Sequence, residues 1–181
     1  MAGKQNDELK ERIRKAAKNL REEVTGWRHH LHRNPELSNQ ETGTAAYIAE
    51  RLEEAGIEVQ KGVGGTGVVG LIHATDPDGK VIALRADMDA LPIREENDIP
   101  YKSENEGVMH ACGHDVHMAV LLGAARIIND MKDRFKGRVK LIFQPSEETY
   151  PGGAQAMIKE GVLENPVPDI IIGEHVYPEL D

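Results

Sequence analysis

Hydrophobic positions near the N-terminus recur at helical spacing. Six apolar side chains are separated alternately by four and three residues, namely Ile13, Ala17, Leu20, Val24, Trp27 and Leu31. This spacing places them on one stripe of a helix, which we expect to end at Pro35. His29, His30 and His32 follow Trp27 closely, but a helix directs them to different faces. We therefore expect these histidines to be solvated or partly packed rather than to share a metal ion.

A second helix is predicted shortly after the first. Ser38 followed by Glu41 has the spacing of a capping box. Helical spacing then continues in the apolar residues Ala45, Ile48, Ala49 and Leu52. Gly56 is placed as the C-terminal stop of this helix. The glycine-rich segment 62–67 lacks the Gly-Lys-Ser/Thr ending of a phosphate-binding loop, so it predicts a flexible turn.

Two strands are predicted next, at residues 68–74 and 80–84. The turn sequence Asp-Pro-Asp-Gly at residues 76–79 lies between them. Because such residues favour tight turns, this arrangement predicts that the two strands pair as an antiparallel hairpin.

From residue 80 onward, short apolar runs alternate with helical segments. The runs lie at residues 81–84, 139–143 and 170–172, and the helical segments at 116–131 and 153–159. Such alternation is typical of a parallel sheet covered by helices on both faces. The expected fold class is therefore α/β, with a mostly parallel sheet and an antiparallel hairpin.

Polar side chains that can bind metals follow each of the three predicted parallel strands. Residues 85–89 carry Asp87 and Asp89, residues 144–148 end in two glutamates, and residues 173–175 end in His175. Ligands of open parallel sheets bind outside the carboxyl ends of the strands. We therefore expect these three clusters to meet at one edge of the sheet.

The segment 109–117, Met-His-Ala-Cys-Gly-His-Asp-Val-His, contains three histidines, an aspartate and the only cysteine of the chain. Thiolate, imidazole and carboxylate groups bind transition metals. Cys112 and His114 are two residues apart, so in an extended segment both side chains point to the same side. A buried thiol beside scattered histidines is the alternative, but the polar strand ends favour a metal site.

The adjacent carboxylates Glu147 and Glu148 can take two different roles at a metal site. Neighbouring side chains diverge in an extended chain, so one can ligate a metal while the other faces a metal-activated water. A carboxylate in that position is typical of general-base hydrolysis.

Composition narrows the function classes. The net charge of −9 argues against nucleic-acid binding, and no apolar run is long enough to span a bilayer. A single cysteine excludes an internal disulfide framework, and the polar N-terminus lacks the apolar core of a signal peptide. We expect a cytoplasmic protein of one domain, or part of a larger one.

Several long motifs resemble the aminoacylase/carboxypeptidase family of metallopeptidases, which includes hippurate hydrolase, N-acyl-L-amino-acid amidohydrolases and plant auxin-conjugate hydrolases. The matching segments are residues 27–32, 34–38, 84–92 (LRADMDALP), 109–117 (MHACGHDVH), 143–148 (FQPSEE) and 152–163. One small departure is Ser146, where alanine is more usual in the family.

The resemblance implies a site with two divalent metal ions, for which Zn, Mn, Ni or Co are plausible. It implies four ligands, Cys112, His114, Glu148 and His175, with Glu147 as the general base. Asp87, Asp89 and Asp115 would orient these ligands, although in related branches the strand end at Asp87 and Asp89 supplies a ligand directly. His110 and His117 would have structural or orienting roles. The implied activity is cleavage of the amide bond in N-acyl amino acids or small peptides.

Members of the resembled family are about twice as long as this chain. We therefore expect residues 1–181 to form the N-terminal portion of a zinc-peptidase-like catalytic domain, without the lid or dimerisation domain and the C-terminal part. The resemblance implies a homodimer for a full-length relative, and an exposed sheet edge would favour self-association. One alternative is an inactive metal-binding fragment. Another is a thiol enzyme built on Cys112.

Overall fold

The computed structural model describes residues 2–177. Its helices are α1 (Ala2–Asn19), α2 (Arg21–Arg33), α3 (Thr42–Glu54), α4 (His114–Asp130) and α5 (Gly153–Lys159). Its strands are β1 (Glu58–Val63), β2 (Gly67–His73), β3 (Asp76–Asp87), β4 (Lys136–Gln144) and β5 (Ile170–Gly173). None of the helices in this part of the chain combines the length and hydropathy needed to cross a lipid bilayer.

Within residues 2–177 the strands form one mixed sheet in the order β1-β2-β4-β3-β5. β3 runs parallel to both β4 and β5, while β2 runs antiparallel to β1 and β4. The predicted α/β class is thus confirmed, with the parallel pairing confined to β3, β4 and β5.

The predicted hairpin between residues 68–74 and 80–84 is wrong. β2 and β3 do not pair with each other, because β4 lies between them and pairs with both. The hairpin of the sheet is instead β1–β2, joined by the glycine-rich turn. β4 has a strand neighbour on each side, and its residues 139–144 are all buried, as expected of a central strand covered on both faces. A local turn signal at residues 76–79 could not reveal this long-range pairing.

Two apolar clusters cover the opposite faces of the sheet. Alternate residues of β4 divide between them: Leu141 and Phe143 pack under α2, α3 and α4, while Ile142 packs under α5. The first cluster is the larger one and contains Trp27, Ile48 and most of the buried face of α4. Helices therefore cover both faces, as predicted.

The N-terminal apolar stripe is divided between two helices. α1 ends at Asn19 and α2 begins at Arg21, so the single predicted helix is interrupted at Leu20. Trp27 and Leu31 are buried in the core, but Ile13 is 41% exposed. The helix ends at Arg33, as expected from Pro35. Only the second half of the stripe therefore serves the core.

The predicted capping box is also wrong. The backbone amides of Gly43 and Thr44 donate to the two carboxylate oxygens of Glu36, across 3.0 and 2.7 Å. Glu36 thus caps α3 in place of Ser38 and Glu41, whose side chains turn toward the carboxyl ends of β3 and β4. Gly56 ends the helix with a φ of +70°, as predicted.

Candidate metal centre

The parallel arrangement of β3, β4 and β5 brings their carboxyl ends to one edge of the sheet. The segments that follow them carry Asp89, Glu147, Glu148 and His175, and His114 begins α4 at the same edge. Gly113, just before α4, has a φ of +85°, and a side chain there would collide with Val176. Gly113 therefore allows the turn into α4 to lie against the segment after β5.

His114 lies at the centre of three overlapping groups of ligand-type side chains. The groups are Cys112–His114–His175, His114–Glu147–Glu148 and Asp87–His114–His117. Within each group one donor atom per residue lies within 4.8 Å of the others. The structure therefore brings together all four candidate ligands and the candidate base.

The orientation of His114 leaves one ring nitrogen available. Its Nδ1 lies 2.8 Å from the backbone carbonyl oxygen of Asp89, an acceptor that requires the proton to be on Nδ1. Nε2 is buried and has no hydrogen-bond partner among the described residues. It lies 3.8 Å from Oε1 of Glu148 and 4.0 Å from Oε2 of Glu147. This is the arrangement of a metal-binding imidazole held by a backbone carbonyl.

The carboxylate of Asp89 organises the two glutamates. Oδ1 accepts the backbone amide of Glu147 at 3.0 Å, and Oδ2 accepts the amide of Glu148 at 2.9 Å. The hydroxyl of Ser38 also donates to Oδ2, at 2.6 Å. Burial opposes ionisation of Asp89, but the donors around it, including His114, hold its pKa at about 2. Asp89 is therefore an ionised anchor that orients the neighbouring side chains.

Cys112 and His175 face each other across the opening of the site, with Sγ and Nε2 3.3 Å apart. Burial, followed by the nearby carboxylates of Glu148, Glu147 and Asp87, raises the pKa of the Cys112 thiol to about 12. A nucleophilic cysteine needs a lowered pKa. These surroundings therefore disfavour a thiol enzyme and suit a cation that would stabilise the thiolate.

Asp87 and His117 lie on the other side of His114. Burial raises the pKa of Asp87, although its carboxylate contacts the guanidinium of Arg85. The backbone amide of Val176 donates to Nε2 of His117 at 3.1 Å. Burial and the neighbouring His114 and His175 lower the pKa of His117 to about 4, so this ring is neutral. His117 thus helps to hold the segment that carries His175.

A second polar network lies behind the segment that carries Cys112 and His114. Nδ1 of His32 is 2.8 Å from Oδ2 of Asp115, and Nε2 of His32 is 3.0 Å from Oε1 of Glu95. Arg28 donates to the same oxygen of Asp115 at 2.8 Å. The hydrogen bond to Asp115 raises the pKa of His32, and Glu95 adds to this effect against the opposing burial. Through Asp115, which directly follows His114, the start of α4 is therefore linked to helix α2.

Sequence reasoning missed the role of His32. The three histidines of α2 do fan out: His29 stacks on Tyr101 and His30 on Tyr47, as expected of partly packed side chains. His32 instead is only 3% exposed and lies between two carboxylates. Position 32 lies off the apolar stripe of Trp27 and Leu31, so the periodicity gave no signal for its burial, and Glu95 is too distant in sequence to be paired with it.

The donor set fits a divalent cation. Nε2 of His114 and Oε1 of Glu148 are buried without hydrogen-bond partners among the described residues, and both point toward the same space. A thiol, imidazoles and carboxylates are the usual ligands of zinc and related metals. His110 is buried as well, and burial lowers its pKa to about 4, but it belongs to none of the three ligand groups.

Comparisons with known proteins agree with this geometry. The model of the family described as "Peptidase family M20/M25/M40" matches residues 83–181. N-acyl-L-amino acid amidohydrolase of Geobacillus stearothermophilus is 43% identical, over 95% of this chain and 46% of its own length. Hippurate hydrolase of Campylobacter jejuni is 48% identical, over 83% of this chain and 38% of its own.

A solved structure shows the same fold. The YXEP protein of Bacillus subtilis, described as a dinuclear metal binding peptidase of the M20 family, superposes with a TM-score of 0.83 and 43% identity. The match covers 90% of this chain and 45% of that protein. The chain thus spans less than half the length of the relatives that it matches.

Proposed function

Because the chain belongs to peptidase family M20/M25/M40, we propose that it carries the metal centre of a metal-dependent amidohydrolase. The substrates would be N-acyl amino acids or small peptides, which are cleaved at the amide bond. The observation that supports this most directly is the grouping of Cys112, Glu148 and His175 around His114, whose Nε2 is buried without a hydrogen-bond partner among the described residues.

Cys112, His114, Glu148 and His175 would hold the metal, with two ions in the complete enzyme. Asp87, Asp89 and Asp115 would orient this set. The mixture of thiolate, imidazole and carboxylate suits Zn, Mn, Ni or Co. When bound, the metal would polarise the substrate carbonyl and lower the pKa of water.

Glu147 would act as the general base. Its side chain is 42% exposed, whereas that of Glu148 is 20% exposed, so Glu147 is the carboxylate that reaches the open side of the site. It would take a proton from the attacking water as the new carbon–oxygen bond forms. It would then deliver that proton to the nitrogen as the carbon–nitrogen bond breaks, so the carboxylate is regenerated.

The remaining assignments follow from the same proposal. Residues 1–181 would correspond to the N-terminal portion of a catalytic domain, with the lid or dimerisation domain and the C-terminal part outside them. The single cysteine and the net charge of −9 support a cytoplasmic location and a small-molecule substrate rather than nucleic acid.

Metal content and hydrolysis test the proposal together. The 181-residue chain is dialysed against Zn or Mn, desalted and measured for metal per chain, and hydrolysis of N-acetyl and N-benzoyl amino acids is followed by release of the free amine. We expect bound metal in the wild type, and Glu147→Gln should keep it while losing hydrolysis by about 100-fold or more. Glu106→Gln makes the same chemical change at an exposed loop position and should leave both values unchanged.

Three other outcomes would contradict or change the proposal. Normal turnover by Glu147→Gln would reject the role of Glu147 as the base. Metal binding without hydrolysis would support the alternative of an inactive metal-binding fragment. A wild-type chain that takes up no metal would reject the metal centre as residues 1–181 form it.

A further inference from the structure

Glu41 is a carboxylate with no exposed surface that lies beside the glutamate pair but outside the ligand groups. Oε1 accepts the backbone amide of Ser146 at 2.8 Å and the Ser146 hydroxyl at 3.3 Å. Oε2 accepts the hydroxyl of Thr66 at 2.7 Å. Neutral donors therefore surround Glu41, and they come from two loops that are distant in sequence.

Ser146 adopts a backbone conformation that is unfavourable for a residue with a side chain. Its φ is +53°, in the left-handed region, and Asn39 opposite it has a φ of +65°. The amide of Asn39 donates to the Ser146 hydroxyl at 2.9 Å. Such conformations persist only where surrounding contacts impose them, and they concentrate at functional sites. Glu41 and Asn39 supply those contacts.

The conformation of Ser146 decides the direction of the next two residues. Glu147 and Glu148 follow it directly, and their amides are held by Asp89. The loop is thus held at its start by Glu41 and in its middle by Asp89. If only Asp89 held it, rotation about the Ser146 backbone could turn both carboxylates away from His114.

We propose that Glu41 is a positioning residue that fixes Ser146 in its left-handed conformation and thereby aims Glu147 and Glu148 at the metal centre. The link from Glu41 to catalysis rests on the proposed function. The clamp itself is a property of the chain without metal. It can therefore be tested separately.

Amide hydrogen exchange of the 181-residue chain, without added metal, tests the clamp. Glu41→Leu removes the acceptor at similar volume, and exchange at the amides of residues 146–148 should rise about tenfold or more. Glu41→Gln keeps one oxygen for the Ser146 amide and should restore protection to near the wild-type value. If Glu41→Leu does not fold, Thr66→Val replaces it in the test. It removes the donor to Oε2 of Glu41 and should give a smaller rise in the exchange of the same amides.

A control variant that weakens the core elsewhere separates positioning from general destabilisation. Leu52→Ala opens a cavity in the core on α3, away from the loop, and should leave the protection of residues 146–148 unchanged relative to other buried amides. The inference is overturned if Glu41→Leu leaves these amides protected, or if Leu52→Ala exposes them equally.

Cobalt(II) provides the second readout. In the wild type the visible absorption of bound Co²⁺ reports the ligand geometry. That spectrum should shift or weaken in Glu41→Leu, and should recover in Glu41→Gln. An unchanged spectrum in Glu41→Leu would overturn the proposed link to the metal centre. A wild type that binds no Co²⁺ would reject the proposed function, while hydrogen exchange would still decide the clamp.

Discussion

His114 donates its Nδ1 proton to the backbone carbonyl oxygen of Asp89 across 2.8 Å. The side chain of the same aspartate accepts the amides of Glu147 and Glu148. One residue therefore sets the tautomer of the central histidine and the position of both glutamates. The metal-binding role of these groups remains a prediction, and its tests start from this relationship.

Asp89→Asn should weaken metal binding by about 10–100-fold, the usual effect of losing a partner that orients metal ligands. An amide side chain offers one acceptor oxygen, and its NH₂ group would face a backbone amide that also donates. Competition with a chelator measures the change in affinity. Asp98→Asn changes an exposed carboxylate of the loop between β3 and α4 and serves as the control. Equal affinities for wild type and Asp89→Asn would contradict the anchoring role.

Cys112→Ala should lower metal affinity by more than Asp89→Asn does, because it removes a direct ligand rather than an orienting partner. Metal binding by the wild type should also fall as the pH is lowered, since the thiol must lose a proton to bind. Elemental analysis of the desalted protein across a pH series measures both effects. Full metal occupancy in Cys112→Ala would show that the thiol is not a ligand.

His32→Leu should lower the free energy of unfolding by about 3–5 kcal/mol, because it removes the shared partner of the buried carboxylates of Asp115 and Glu95. Urea unfolding at neutral pH measures this change. His30→Leu makes the same substitution on an exposed side chain that stacks on Tyr47, and should have a much smaller effect.

The contribution of His32 to the free energy of unfolding should also depend on pH. The pKa of His32 is raised in the folded protein, chiefly by the hydrogen bond to Asp115. Its contribution to stability is therefore fully present below the pKa of an unfolded histidine, near 6.5, and is lost as the pH rises through the raised folded value. The difference between wild type and His32→Leu should shrink at high pH. A difference that grew with pH would contradict a charged His32.

Ile171→Lys should reduce self-association. The side chains of Ile170, Ile171 and Ile172 are 46–51% exposed, and among the described strands β5 pairs only with β3. An exposed apolar edge of this kind favours pairing between molecules, and an edge lysine opposes it. Sedimentation velocity over a range of concentrations measures the change, with Val167→Lys, an exposed residue before β5, as the control. Identical association in the wild type and Ile171→Lys would exclude the edge as the contact.

Local patterns were sufficient for much of the fold. The apolar periods of α3 and α4, the end of α2 before Pro35 and the strand runs of β3, β4 and β5 depend on residues close in sequence. The convergence of polar strand ends at one edge also follows from local information, because parallel strands share the direction of their carboxyl ends. This is why the groups around His114 could be predicted.

Contacts between distant residues decided the rest. Ser38 and Glu41 have the local pattern of a helix cap, yet both form hydrogen bonds with distant residues. Ser38 donates to Asp89, 51 residues away, and Glu41 accepts from Ser146, 105 residues away. Glu36 caps α3 in their place. A cap and a tertiary hydrogen bond have similar energies, so the sequence alone could not decide between them.

The sequence by itself therefore determined the α/β class, the edge of the sheet where the chemistry gathers and the residues that meet there. Only the tertiary structure decided the place of β4 between β2 and β3, the burial of His32 between two carboxylates and the clamp of Glu41 on Ser146. The physical reason is that periodicity and side-chain type act over a few residues. Strand order and buried polar partners depend instead on which distant segments the folded chain brings together.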